Sequence, residues 1–168
     1  MHDLNHEKRK KKLREKHDHG GELSKDDYAE ILLMLEHDDS SEVLFGVGTL
    51  VHCASDESDM KKGLSVLSRI LSKRAETLAI GTYLDALWIL SFVPWRTMKA
   101  TRGLERFAFD STQHPNEMVR ANASLIMHNL ATEGCAKSLK RIIEMTSDQS
   151  TEVRSNAELF LRGLRKNR

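Results

Sequence analysis

The feature that most constrains this chain is a phrase it uses more than once. Asn116 to Leu130 reads NEMVRANASLIMHNL, and 34 residues later Ser150 to Leu164 reads STEVRSNAELFLRGL. Aligned without a gap, Val119 matches Val153, Arg120 matches Arg154, Asn122 matches Asn156, Ala123 matches Ala157 and Leu130 matches Leu164. Val119, Ala123, Ile126, Met127 and Leu130 fall at i, i+4, i+7, i+8 and i+11, a spacing that gathers them on one side of a helix. Val153, Ala157, Phe160, Leu161 and Leu164 repeat the offsets, as do Val43, Val47, Leu50, Val51 and Ala54. A fourth, weaker copy reads Thr77, Gly81, Leu84 and Trp88, with Asp85 in an apolar slot. Ser40, Asn116 and Ser150 each stand three residues before the first valine, where an N-cap belongs. Glu42 and Glu152 suit the positive end of the helix dipole.

Between these copies lies a second template. Lys62-Gly63-Leu64, Arg102-Gly103-Leu104 and Lys137-Ser138-Leu139 fall at equivalent places, with Leu67, Phe107 and Ile142 three residues on. Ser24 and Asp27 read as the start of a first helix carrying Tyr28, Ile31, Leu32 and Leu35. The whole pattern predicts an all-α body of eight helices from residue 24 to 166. Two prolines and a 5% aromatic share agree with helix rather than sheet. No apolar run reaches the roughly 18 residues of a membrane helix, and no apolar segment follows the basic N-terminus as a secretory signal requires.

Residues 1–22 differ from the body. The first twenty hold seven Lys/Arg against four Asp/Glu, whereas the rest is close to neutral and the full chain carries +1. With only Leu4 and Leu13 to bury, 1–22 is expected to be a basic, flexible arm and 23–168 the folded domain. The run Lys8 to Lys16 is read either as a solvated terminus or as a localisation or phosphate-binding tail. His2, His6, His17 and His19 lack the fixed surroundings of a metal site, and no cofactor is implied. Cys53 and Cys135, far apart and without CxxC spacing, read as buried, reduced thiols of a cytoplasmic or nuclear protein. Met34, Met127 and Met145 read as core filler.

Helix pairs repeating at 34, 42 and 34 residues are a stacked-repeat signature. PNEMVRANASLIMHNL and STEVRSNAELFLRGL resemble HEAT repeats, relatives of armadillo repeats, through their Val-Arg-x-x-Ala core. The resemblance spans about residues 24 to 166 and implies a right-handed α-α superhelix of four HEAT-like helix pairs. It also implies a ladder of Asp and Arg six residues apart. Asp148 and Arg154 match that pair. Arg120 departs, with His114 in the Asp position, and Asp38 has Leu44 where Arg belongs.

Such a scaffold implies an adaptor, not an enzyme, that takes a protein or peptide into a concave groove. Lys62, Arg102, Arg106, Lys137 and Arg141 sit two positions either side of the repeat leucines, away from the core. They are expected to form a basic ridge along the groove, suited to an acidic or phosphorylated partner. The alternative is nucleic-acid binding by ridge and arm together. Trp95, in the turn Phe92-Val93-Pro94-Trp95-Arg96, is a candidate interface anchor or a packing residue between repeats. Asp85 and Trp88 loosely echo HEAT-like DNA glycosylases, which place an acid and tryptophans on a basic concave surface; the plain reading is an ion-paired or capped Asp. His128 is expected to be buried and hydrogen-bonded.

Overall fold

The computed structural model describes residues 3–19, 21–37, 39–53, 57–74 and 78–166. Among these residues there are ten helices and no strand. They are α1 (Asp3–His19), α2 (Lys25–Leu35), α3 (Ser40–Cys53), α4 (Glu57–Arg74), α5 (Ile80–Ser91), α6 (Trp95–Ala100), α7 (Leu104–Ser111), α8 (Glu117–Thr132), α9 (Ala136–Met145) and α10 (Thr151–Lys166). No helix of the described residues is long and apolar enough to cross a membrane. The chain divides into two compact units, Met1–Ile70 and Leu71–Arg168.

Two helices exceed the eight read from periodicity. One is α1, where a flexible arm was expected. Leu13 is fully buried, Lys16 donates to Asp27 at 2.5 Å and Lys10 pairs with Glu42. A single leucine suffices as an anchor because ion pairs to α2 and α3 hold the helix on either side of it. The other arises because the segment that carries the Arg102-Gly103-Leu104 copy holds two helices, α6 and α7, where one was expected. It breaks at Gly103, whose φ of 85° is left-handed and open at little cost to glycine alone.

In the first unit, Ser24 caps α2 with the reciprocal Asp27 bond of a capping box. Burial pushes the Asp27 carboxyl up, but hydrogen bonds from Lys16 and Ser24 outweigh it and carry the pKa down to about 2. α2 and α3 approach closely at Gly46, where a Cβ would lie 3.2 Å from Met34 Cβ and 3.3 Å from a Leu35 methyl. Asp39, not Ser40, caps α3, its carboxylate accepting from the Ser41 N–H at 2.9 Å. Val43, Val47, Leu50 and Val51 are buried as the template requires; Ala54 and Asp38 lie outside the described residues. Leu64 and Leu67 of α4 are fully buried.

In the second unit α8 packs against both α5 and α10, α7 packs against α5 and α8, and α9 packs against α8 and α10. All five template residues of α8 are fully buried, and Asn116 caps the helix through the Met118 and Val119 N–H groups. In α10 Val153 and Ala157 are fully buried, while Phe160, Leu161 and Leu164 are partly covered. The Ser150 carbonyl accepts the first helical N–H, from Arg154 at 3.1 Å.

The weak copy in α5 is corrected in register. Gly81, Leu84, Asp85 and Trp88 do not face the core; Gly81, Asp85 and Trp88 are exposed, and Thr77 lies outside the described residues. The template runs five residues later, through Thr82, Ala86, Ile89, Leu90 and Val93, the last four of them buried. Starts at 43, 82, 119 and 153 then follow one another at 39, 37 and 34 residues.

With this register Tyr83, Arg120 and Arg154 are equivalent, each the fourth residue of its helix. The Asp–Arg pair six residues apart is not a direct carboxylate–guanidinium contact. Arg154 donates instead to the Asp148 and Gln149 backbone carbonyls at 2.7 and 2.9 Å. Arg120 does the same to His114 and Pro115 at 2.8 and 3.0 Å. The Asp148 carboxylate reaches back one repeat to grip Arg120 by two bonds of 2.9 Å. The Arg120 hydrogen bond holds the Asp148 carboxyl below its usual range, against the opposing push of burial. His114 replaces Asp148 in one respect: its Nδ1 accepts from the Asn116 N–H at 3.1 Å, as Asp148 accepts from Ser150 N–H at 2.8 Å.

Candidate partner-binding face

The residues expected to form a basic ridge are solvent-facing, yet most are already matched at home. Lys62 pairs with Asp59 at 2.8 Å in the first unit, where α4 turns it outward. In the second, Arg106 pairs with Asp110 at 3.3 Å and Arg141 with Glu144 at 2.9 Å, each along its own helix. Lys137 lies over the Phe109 ring, its Nζ 4.0 Å from the centroid. Arg102 is exposed in the turn before α7. Exposed pairs of this kind contribute about 0–1 kcal/mol each, but they lower the positive potential that an acidic ligand meets.

Trp95 begins α6 and is half-buried. Its backbone N–H donates to Glu133 at 2.8 Å, Lys99 lies 5.5 Å from its ring, and its indole Nε1 is buried with no hydrogen-bond partner among the described residues. The Asn129 amide meanwhile donates to the Ser91 carbonyl at 2.8 Å. The aromatic turn is thus tied to the C-terminal end of α8. Ser91, Phe92, Val93, His128, Asn129, Thr132 and Glu133 line a shallow cleft of about 280 Å³ where α5 and α8 end.

A different surface emerges once α5 is in register. In α5, α8 and α10 the positions one before, and three, six and ten after, the first template residue lie together on one side of the helix, exposed except for Asn129, Asn156 and Gly163, which are partly covered. In α5 they are Gly81, Asp85, Trp88 and Phe92; in α8, Met118, Asn122, Leu125 and Asn129; in α10, Glu152, Asn156, Leu159 and Gly163. Trp88, Phe92, Met118, Leu125 and Leu159 are 41% to 60% exposed, and they comprise five of the seven large exposed apolar residues among those described in this unit. Trp88, Leu125 and Leu159 occupy the same position of three successive copies. Trp88 and Phe92 meet edge to face, centroids 4.8 Å apart.

This face carries no Lys or Arg at its twelve positions, and its charges are Asp85 and Glu152. Asp85 makes no hydrogen bond or ion pair with a described residue, in contrast to the ion-paired or capped residue expected from sequence. Burial beside its neighbours pushes its carboxyl up. His128 is half-buried behind the face and stacks on Phe160 at 4.6 Å. Its Nδ1 has no partner among the described residues, so the hydrogen-bonded ring expected from sequence is corrected; burial lowers its pKa.

Sequence reasoning missed this face because it took α5 in the wrong register. The signal was present: a large apolar residue six after the template start in three copies, where a solvated helix carries polar ones. Cys53 and Cys135 are both buried free thiols. No family model, curated protein or solved structure matches the chain.

Proposed function

We propose that this chain is a HEAT-like helical-repeat adaptor that binds a protein or peptide through the outward face of α5, α8 and α10. The observation that carries the reading is the alignment of Trp88, Leu125 and Leu159, with Phe92 and Met118 beside them, exposed at equivalent repeat positions. Apolar side chains scattered singly are ordinary on a surface, but an aligned group on one face is what partner-binding sites present. The repeating template and the shared carbonyl-capping role of Arg120 and Arg154 support the repeat assignment. No catalytic role is proposed for any residue. Asp85 and Trp88 share a face without Lys or Arg, so a glycosylase-like reading lacks the cations that hold a phosphate backbone.

The test is comparative capture from the native cell with two double variants. Leu125→Glu with Leu159→Glu removes the specific co-purifying proteins, whereas Arg106→Glu with Arg141→Glu leaves them. The reverse result returns the site to α7 and α9. Nucleic-acid binding is the second reading, favoured by Lys8, Lys11 and Lys12, which stand exposed on α1. Binding of duplex DNA or RNA at low salt that falls steeply with added salt, and vanishes on replacing those three lysines by glutamine, supports it.

A further inference from the structure

The charge on the α5–α8–α10 face specifies more than an apolar contact. Its twelve outward positions combine five large apolar side chains, three asparagines, two glycines and two acids, Asp85 and Glu152, without a base. Glu133, at the rim of the neighbouring cleft, adds a third acid. The bases of this unit's other outward face have local partners: Arg106 has Asp110, Arg141 has Glu144 and Lys137 has Phe109. Asp85 has none among the described residues. Trp88 lies one turn beyond it, and Phe92 one turn further, with the two rings in edge contact. A carboxylate and two exposed aromatic rings along one helix edge supply what a cationic side chain seeks: a counter-charge, and ring faces rich in electron density.

Resting on the binding face proposed above, we infer that its occupant is a basic peptide segment of a partner protein. A Lys or Arg of that segment sits against Asp85, Trp88 and Phe92, and flanking apolar residues cover Leu125 and Leu159. An acidic or phosphorylated segment sets negative charge against Asp85 and Glu152. A second copy docking by the same face sets those acids against their own kind. A nucleic-acid backbone meets no cation there. Asn122 is committed to the Met118 carbonyl at 2.8 Å and Asn129 to Ser91 at 2.8 Å. Those amides therefore add polarity to the face without adding charge, which leaves Asp85 and Glu152 to set the preference.

The experiment measures fluorescence anisotropy of the full chain with three synthetic peptide pools. All share one amphipathic pattern of leucine and phenylalanine and differ at the interleaved positions, which carry Lys/Arg, Gln or Glu. The Lys/Arg pool is expected to bind about tenfold more tightly than the Gln pool, the scale of a well-placed cation–aromatic contact, and the Glu pool more weakly still. Asp85→Asn cuts the preference for Lys/Arg severalfold, leaving only what the rings supply, with the Gln pool's binding unchanged; Trp88→Ala weakens both pools. Equal binding of all three, abolished by Leu125→Glu, overturns the cationic inference and keeps the face. Tighter binding of the Glu pool, or a Lys/Arg preference that Asp85→Asn leaves undiminished, also overturns the inference. Binding of any pool that ignores Leu125→Glu sinks the face itself, and with it the inference. Circular dichroism of each variant confirms that it keeps the wild-type fold.

Discussion

Two successive steps of the second unit solve one packing problem with opposite chemistry. Between α8 and α10 the fourth helical residue is Arg120, a buried guanidinium forked onto Asp148 and donating to two backbone carbonyls. Between α5 and α8 the equivalent residue is Tyr83, also buried. Its ring lies 4.7 Å from Phe107 and 4.9 Å from His114, and its hydroxyl is 3.0 Å from Ser111 Oγ. The ionic step needs every donor satisfied, because a buried charge without partners is costly. The aromatic step needs one hydrogen bond and takes the rest of its energy from apolar contact. The position is therefore specified by shape and burial, and its charge is negotiable if the partner position changes too. Asp148 in one repeat and His114 in the previous one are that change.

This contrast gives graded expectations. The largest effect belongs to Arg120→Ala, which strands Asp148 and two carbonyls; a loss of about 3–5 kcal/mol in denaturant unfolding is expected. A loss below about 1 kcal/mol would falsify the idea that the ionic step depends on full satisfaction. Next comes the pH dependence of Asp148. Its folded pKa is depressed, so its contribution is present above the unfolded value of about 4 and is lost as pH falls through the folded value. The stability gap between wild type and Asp148→Asn should shrink on acidification below about pH 4. A gap that is flat across that range removes the linkage. At the aromatic step Tyr83→Phe deletes only the hydroxyl. Ser111 keeps its own bond to the Phe107 carbonyl at 2.6 Å, so a loss of about 1 kcal/mol is expected by thermal or chemical unfolding. The smallest effect is Arg154→Ala. This residue makes the same carbonyl contacts as Arg120 but stands partly in water at the last described helix, and a loss of about 0.5–1 kcal/mol is expected. Parity between Arg154→Ala and Arg120→Ala would show that the carbonyl bonds, not the Asp148 fork, carry the energy.

Much of the helical architecture was legible from periodicity alone. The five template residues Val119, Ala123, Ile126, Met127 and Leu130 are fully buried, and Ser24 and Asn116 cap as their positions imply, because these depend on neighbours within one turn. Three readings depended on contacts from elsewhere. Leu13 looked too isolated to order a helix; Lys16 reaching Asp27 and Lys10 reaching Glu42 change that, and neither pair has a periodic trace. In α5 the apolar spacing admits two registers, since Leu84 and Trp88 are as apolar as Ile89 and Leu90. Only packing against α7 and α8 selects the second. The outward face of α5, α8 and α10 was hidden by that choice, and its acidic sign was obscured by the count of Lys and Arg on the segments of the second template. Counting bases did not reveal that Asp59, Asp110 and Glu144 stand within one turn of them.

The sequence by itself determined that the chain is helical and built on a repeated template, because helix-forming spacing is a local property set by 3.6 residues per turn. Tertiary structure decided what each repeat position means. Whether the fourth residue of a helix is Arg or Tyr matters only once Asp148 or Ser111 is beside it, and whether Trp88 is core or surface is fixed by which side of α5 the next helix occupies. Burial, counter-charge and exposure are relations between distant residues, and they exist only after the chain has folded.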